Sequence, residues 1–130
     1  MIRIEHIALW VDDMDVMCDF YSRYFGAVVG PQYANAAKGF TSRFLSFSTG
    51  SRIEVMKTTT LLPARHDAGA QRMGLTHFAV SLGSEAAVDE LVNEMTAGGV
   101  TLLDGPRRTG DGYYEAVVLD PEGNRVELMA

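Results

Sequence analysis

Gly50-Ser51-Arg52-Ile53-Glu54-Val55-Met56 and Gly123-Asn124-Arg125-Val126-Glu127-Leu128-Met129 are one pattern written twice: a turn, an arginine, an aliphatic residue, a glutamate, a second aliphatic residue and a methionine. A second pair lies upstream. Ile4-Glu5-His6-Ile7-Ala8-Leu9 matches Leu75-Thr76-His77-Phe78-Ala79-Val80. Glu127 follows Glu54 by 73 positions and His77 follows His6 by 71. Offsets that agree to two residues are what a duplication with a small insertion leaves.

Working outward, each copy predicts the same order of elements. Ile2–Val11 alternates apolar and polar residues and reads as a strand. Asp12 or Asp13 can cap a helix in which Met14, Met17, Cys18, Tyr21 and Phe25 form one apolar face, and Gly26 ends it. Ala27–Pro31, Arg43–Ser48 and Arg52–Lys57 read as strands, the last two joined by Thr49-Gly50-Ser51. In the second copy Gly74–Leu82 is a strand and Ser84 caps a helix carrying Val88, Leu91, Val92 and Met95. Gly98-Gly99 ends that helix. Val100–Leu103, Tyr113–Leu119 and Arg125–Met129 follow as strands, with Asp120-Pro121-Glu122-Gly123-Asn124 as the turn. Both copies read β-α-β-β-β. The expectation is an α+β protein of one domain, residues 1–130, made of modules 1–60 and 71–130 with a linker spanning 58–73.

Side chains alternate across a strand. Ile7, Leu9 and Val11 share one face, and His6, Ala8 and Trp10 the other. Phe78 and Val80 likewise oppose His77 and Ala79, while the neighbours of Glu54 and Glu127 are aliphatic. The aliphatic faces suit packing beneath the helices, which leaves His6, Glu54, His77 and Glu127 on the opposite face. Trp10, Phe44 and Met129 are their neighbours there, and a carboxylate in such company needs a cation or hydrogen-bond donors. Imidazole with carboxylate suits Zn, Ni, Co, Mn or Fe(II). A lone His on a strand is ordinarily structural, and Glu in Arg-x-Glu can pair with Arg52 or Arg125 at the surface. Recurrence of both residue types at matched positions favours four metal ligands. His66 reads as a solvated linker residue and Cys18 as a packing residue.

Composition bounds the function. The 130 residues are 47% hydrophobic and 22% charged, close to globular averages. Eleven bases are scattered among 17 acids for a net charge of −6, which argues against nucleic acid as a partner. No apolar run is long enough to span a bilayer, so no membrane partner is expected and the cytoplasm is the simplest location.

His6, Asp19-Phe20-Tyr21, Phe25-Gly26, Glu54, Gly74-Leu75-Thr76-His77-Phe78-Ala79-Val80 and Asp120-Pro121-Glu122-Gly123-Asn124-Arg125-Val126-Glu127 together resemble the vicinal oxygen chelate superfamily, in its glyoxalase I-like branch. The resemblance covers nearly the whole chain. It implies two βαβββ modules forming a cupped mixed sheet around a cleft that holds one divalent metal, with His6, Glu54, His77 and Glu127 as ligands. It implies a lyase or isomerase that makes a metal-bound enediolate from a small hemithioacetal or α-hydroxycarbonyl, with Glu127 as base and Glu54 opposite. An epimerase of the same superfamily and a non-enzymatic drug- or metabolite-binding protein are the alternatives. The resemblance also implies a homodimer, whose sites can be shared between chains. Trp10 and Thr58 stand where glyoxalase I enzymes often carry an Arg and an Asn that hold glutathione, so glutathione or another thiol lacks two of its usual contacts. Arg72, Arg107 and Arg108 are loop cations that could replace that Arg or simply lie at the surface. Trp10, Phe44 and Tyr113 are expected to line the substrate site, with Tyr114 packing outward.

Overall fold

A computed structural model describes residues 1–64, 67 and 70–130; His66 lies outside them. The chain forms two compact units, Met1–Ala64 and Arg65–Ala130, divided within the expected linker. The first unit runs β1 (His6–Trp10), α1 (Met14–Phe25), β2 (Val28–Val29), β3 (Tyr33–Asn35), a 3-10 turn (Ala36–Lys38), β4 (Phe40–Ser46) and β5 (Arg52–Lys57). The second runs β6 (His77–Ser81), α2 (Glu85–Ala97), β7 (Leu102–Arg108), β8 (Tyr114–Leu119) and β9 (Arg125–Met129). The α+β class and the duplicated β-α-β-β-β order are therefore both present.

The sheets are built alike. In the first, the strand order is β1-β5-β4-β2, with β3 also pairing β4; in the second it is β6-β9-β8-β7. β1 runs parallel to β5 and β6 parallel to β9, in equivalent register: Ala8 opposes Glu54 and Ala79 opposes Glu127. The remaining pairs are antiparallel.

The helices form where the caps and apolar stripes place them. The Asp13 carboxylate accepts from the Val16 N–H at 3.1 Å, and Ser84 Oγ accepts from the Ala87 N–H at 3.1 Å. Each bond satisfies one donor that the first helical turn leaves open. Of the two candidate caps, Asp13 is the one used. Gly26, at φ 65°, closes α1 in the left-handed conformation that glycine adopts without strain. Met14, Met17, Cys18, Phe20 and Tyr21 are buried against Leu9, Val11, Leu45, Ile53 and Val55 in the first core. Phe20 joins that stripe, and Phe25 is only partly covered. Val88, Leu91, Val92 and Met95 meet Ala116, Val118, Val126 and Leu128 in the second core. Each such aliphatic side chain stabilises its unit by roughly 1.5–3 kcal/mol. Burial pushes the Cys18 thiol above its ordinary pKa, as befits an unreactive packing residue.

Several elements differ from the sequence reading. β1 begins at His6 rather than Ile2, and β6 spans only His77–Ser81. β3 was not expected: residues 31–39 carry Pro31 and Gly39 and show no alternation. β7 continues to Arg108 instead of stopping at Leu103, because Asp104-Gly105-Pro106 bends the strand without ending it. The register shifts twice there, and the Gly105–Pro106 peptide is cis. β7 is an edge strand, where a proline removes no ladder bond that the sheet needs. Gly105 sits at φ 81°, and a Cβ there would lie 2.6 Å from the Glu115 carbonyl oxygen, so no larger residue fits.

Candidate metal centre

The parallel pairing fixes a histidine and a glutamate side by side in each unit. His6 is two residues before Ala8 on β1, and Ala8 lies across from Glu54 on β5, so the ring and the carboxylate are diagonal neighbours on the face away from α1. The small Ala8 leaves Glu54 room to turn toward the ring. His6 Nε2 lies 3.6 Å from Glu54 Oε2. The second unit repeats this through Ala79, with His77 Nε2 3.1 Å from Glu127 Oε2. Both imidazoles are 39% exposed, while the carboxylates are 17% and 14% exposed. No group of three or more His, Cys, Asp and Glu gathers about one point among the described residues. The structure thus presents the four expected ligands as two equivalent pairs.

These pairs fit a divalent metal. Two donors each about 2.1 Å from one ion lie roughly 3–3.4 Å apart in tetrahedral or octahedral geometry; the 3.1 Å of the second pair falls within that range and the 3.6 Å of the first lies just above it. The arginines of the two Arg-x-Glu motifs are engaged elsewhere: Arg52 Nε donates to Glu5 Oε1 at 2.8 Å and Arg125 donates to the Ala70 carbonyl at 3.0 Å. The surface pairing of these arginines with Glu54 and Glu127 is therefore not what the fold uses them for.

Beyond the pairs, the two faces diverge. In the first unit the Phe44 ring meets His6 edge-on, with centroids 5.4 Å apart, and the Arg52 guanidinium lies 3.9 Å above the same ring. Farther along, Trp10 and Tyr33 both contact Phe40, at 6.1 and 6.2 Å. Trp10 is half-exposed. Phe44 and Trp10 thus share the strand face of His6 and Glu54, as alternation put them, while their ring neighbours Phe40 and Tyr33 were not foreseen, since nothing periodic marks residues 33–40. In the second unit the strand position matching Phe44 is Val117, and the one matching Ser42 is Glu115. Burial, then repulsion from Glu127 and a hydrogen bond with it, push the Glu115 carboxyl above its ordinary pKa. Glu115 also escaped the sequence reading, although alternation with Ala116 and Val118 puts it on the ligand face.

Tyr114 donates its hydroxyl to Asp89 on α2 at 2.6 Å and therefore packs toward the helix. Tyr113, just before β8, is half-exposed and lies in the turn closed by Thr109. Arg107 and Arg108, expected in a loop, lie instead at the end of β7, and each of the three arginines holds an acid of its own unit: Arg72 with Asp67, Arg107 with Asp104, and Arg108 with Glu85.

Residues 3–128 match the Glyoxalase/Bleomycin resistance protein/Dioxygenase superfamily. The chain belongs to this superfamily. Among its relatives is an uncharacterized protein of Bacillus subtilis, 28% identical over 98% of both chains. The lactoylglutathione lyase of Arabidopsis thaliana is 31% identical over 98% of this chain but only 44% of its own length. The chain therefore spans less than half of that plant relative. The trypanothione-dependent glyoxalase I of Leishmania major superposes with a TM-score of 0.78, at 24% identity, over 99% of this chain and 86% of that one. That likeness establishes the glyoxalase-superfamily fold of paired βαβββ modules. No helix among the described residues is long and apolar enough to cross a membrane.

Proposed function

We propose that the chain is a divalent-metal-dependent lyase or isomerase of the glyoxalase I kind, acting on a small hemithioacetal or α-hydroxycarbonyl. The observation that carries this reading is the recurrence of one His–Glu pair at the same register of both parallel strand pairs. The lactoylglutathione lyase among the relatives points to the same chemistry. His6, Glu54, His77 and Glu127 would hold the ion, which when bound supplies Lewis-acid stabilisation of negative charge on the substrate oxygens.

Glu127 takes the proton next to the substrate carbonyl, and Glu54 flanks the substrate from the other pair. Glu127 suits the role because Glu115 touches it and offers a second carboxyl on which a proton can rest. The aromatic face of Trp10 and Phe44 walls the apolar part of the substrate and keeps water from it, and Tyr113 adds a hydroxyl at the turn before β8. None of these three residues supplies a cation for a carboxylate tail, so a glutathione adduct would lack that contact here, and the thiol panel below includes glutathione among others.

The working assembly is a homodimer. Two copies of this chain together come close to the length of the plant relative, of which one copy spans 44%, and in a symmetric pair each copy's first His–Glu pair would meet the other's second.

The test is turnover of a panel of methylglyoxal–thiol hemithioacetals by protein loaded separately with Ni, Zn, Mn or Fe(II). Glu127→Gln is expected to keep most of its metal and lose turnover by about 10²–10⁴-fold, the usual contribution of a general base. Full activity in Glu127→Gln would overturn the base assignment. A wild-type protein that binds small aromatic ligands equally well in chelator, and turns over none of the panel, would make it a sequestering protein.

A further inference from the structure

The two histidines are not held alike. His6 Nδ1 lies 2.5 Å from Glu5 Oε2, and the other oxygen of Glu5 accepts from Arg52 Nε at 2.8 Å, with the second guanidinium nitrogen 2.6 Å away. Arg52 is itself fixed from two sides: it stacks on Phe44, and its backbone N–H donates to the Glu5 carbonyl at 3.0 Å. Ser51 Oγ donates to the Ile4 carbonyl at 2.6 Å, tying down the residue before Glu5. Glu5 therefore reaches the ring from a braced backbone, along a chain running Phe44, Arg52, Glu5 and His6.

Among the described residues the second unit lacks this device. Thr76 stands at the place of Glu5, Asn124 at that of Ser51 and Arg125 at that of Arg52. Asn124 donates to the Asp120 carboxylate and Arg125 to the Ala70 carbonyl, so they brace the turn and the linker instead.

We propose that Glu5, oriented by Arg52, is a positioning residue that fixes the neutral His6 ring in its Nδ1–H tautomer. A neutral imidazole has one N–H and one lone pair, and which nitrogen carries the proton is set by its partner. A carboxylate is an acceptor only, so it selects the proton at Nδ1. The lone pair is then left on Nε2, the nitrogen that faces Glu54. An acceptor behind a metal-binding imidazole also raises its basicity and locks its orientation. The exposed Glu5–Arg52 pair adds little to stability, so its effect belongs to the ring it holds. The metal arm of this inference rests on the metal-dependent reading above; the tautomer arm does not.

The experiment is two-bond ¹H–¹⁵N NMR of the histidine rings in metal-free protein at pH 8, with Co(II) and Zn(II) affinities measured by chelator competition. Wild-type His6 is expected to show a protonated Nδ1 and a bare Nε2. Glu5→Ala should convert His6 to a mixture of tautomers, leave His77 unchanged, and weaken metal binding by about 10–100-fold, the usual cost of losing such a partner. Glu5→Gln retains an acceptor oxygen and should keep the tautomer with a smaller loss of affinity. Glu5 is at the surface, so both variants should melt with the wild type. An unchanged His6 tautomer in Glu5→Ala overturns the proposal, and a changed tautomer with wild-type metal affinity overturns its metal arm. If the wild type binds neither metal, the metal-dependent reading fails, and the tautomer of His6 still decides whether Glu5 holds the ring.

Discussion

The two halves of the chain share a strand order, a register and a His–Glu pair, and differ in almost everything that touches those pairs. In the first unit the ligand face carries Trp10, Phe40 and Phe44, and the arginine after the turn reaches back to Glu5 behind the histidine. In the second it carries Glu115 and Val117, and the matching arginine holds the Ala70 carbonyl. Duplication thus preserved the His–Glu pairs while their surroundings diverged, into aromatic neighbours in the first unit and a second carboxylate, Glu115, in the second.

The largest expected effect compares the two carboxylates. Glu127→Gln should lower turnover by about 10²–10⁴-fold while retaining metal, whereas Glu54→Gln should act mainly through weaker metal binding, recoverable at high metal concentration. Equal and metal-reversible losses in both would erase the functional asymmetry. Next in size is complementation. Inactive His6→Ala and His77→Ala proteins, unfolded and refolded together, should regain about one quarter of wild-type activity if each site takes one pair from each chain of a symmetric dimer. If both pairs of a site come from one chain, the mixture stays inactive.

A third comparison concerns the turns before β5 and β9. The buried Asp120 carboxylate accepts from the Glu122 and Asn124 N–H groups and the Asn124 side chain. Asp120→Ala should cost about 1–3 kcal/mol in urea unfolding, since it strands those donors. Ser51→Ala removes one exposed bond from the matching turn and should cost less than about 1 kcal/mol. Smallest is Glu115→Gln. The Glu115 carboxyl is raised in the folded chain, so the folded state holds that proton more tightly than the unfolded one. Its stabilisation is complete below the ordinary carboxylate range and is lost as pH rises through the raised value. The variant should therefore melt higher at pH 7 in metal-free protein, by no more than ~5 °C, with the gain vanishing below about pH 4.

The pairing of His6 with Glu54 and of His77 with Glu127 was legible because it rests on local alternation and on a repeat, and both survive in a bare sequence. Asp13, Ser84 and Gly26 were legible for the same reason, as caps that act within one turn. Glu5 was not. It lies outside β1, and its partner Arg52 is brought to it only by the parallel pairing of β1 with β5. Glu115 needed the register across the β8–β9 hairpin to be seen beside Glu127. Phe40 and Tyr33 flank a segment held by the short β3–β4 pairing and a single 3-10 turn, neither of which leaves a periodic pattern in the sequence.

Metal analysis tests the central claim most directly, in wild-type protein purified without chelator and in the double variants His6→Ala/Glu54→Ala and His77→Ala/Glu127→Ala. A centre made jointly by the two His–Glu pairs predicts a first-row divalent metal in the wild type and its loss from both variants. A wild-type protein that carries and takes up no metal, or a double variant that retains it in full, would contradict the account.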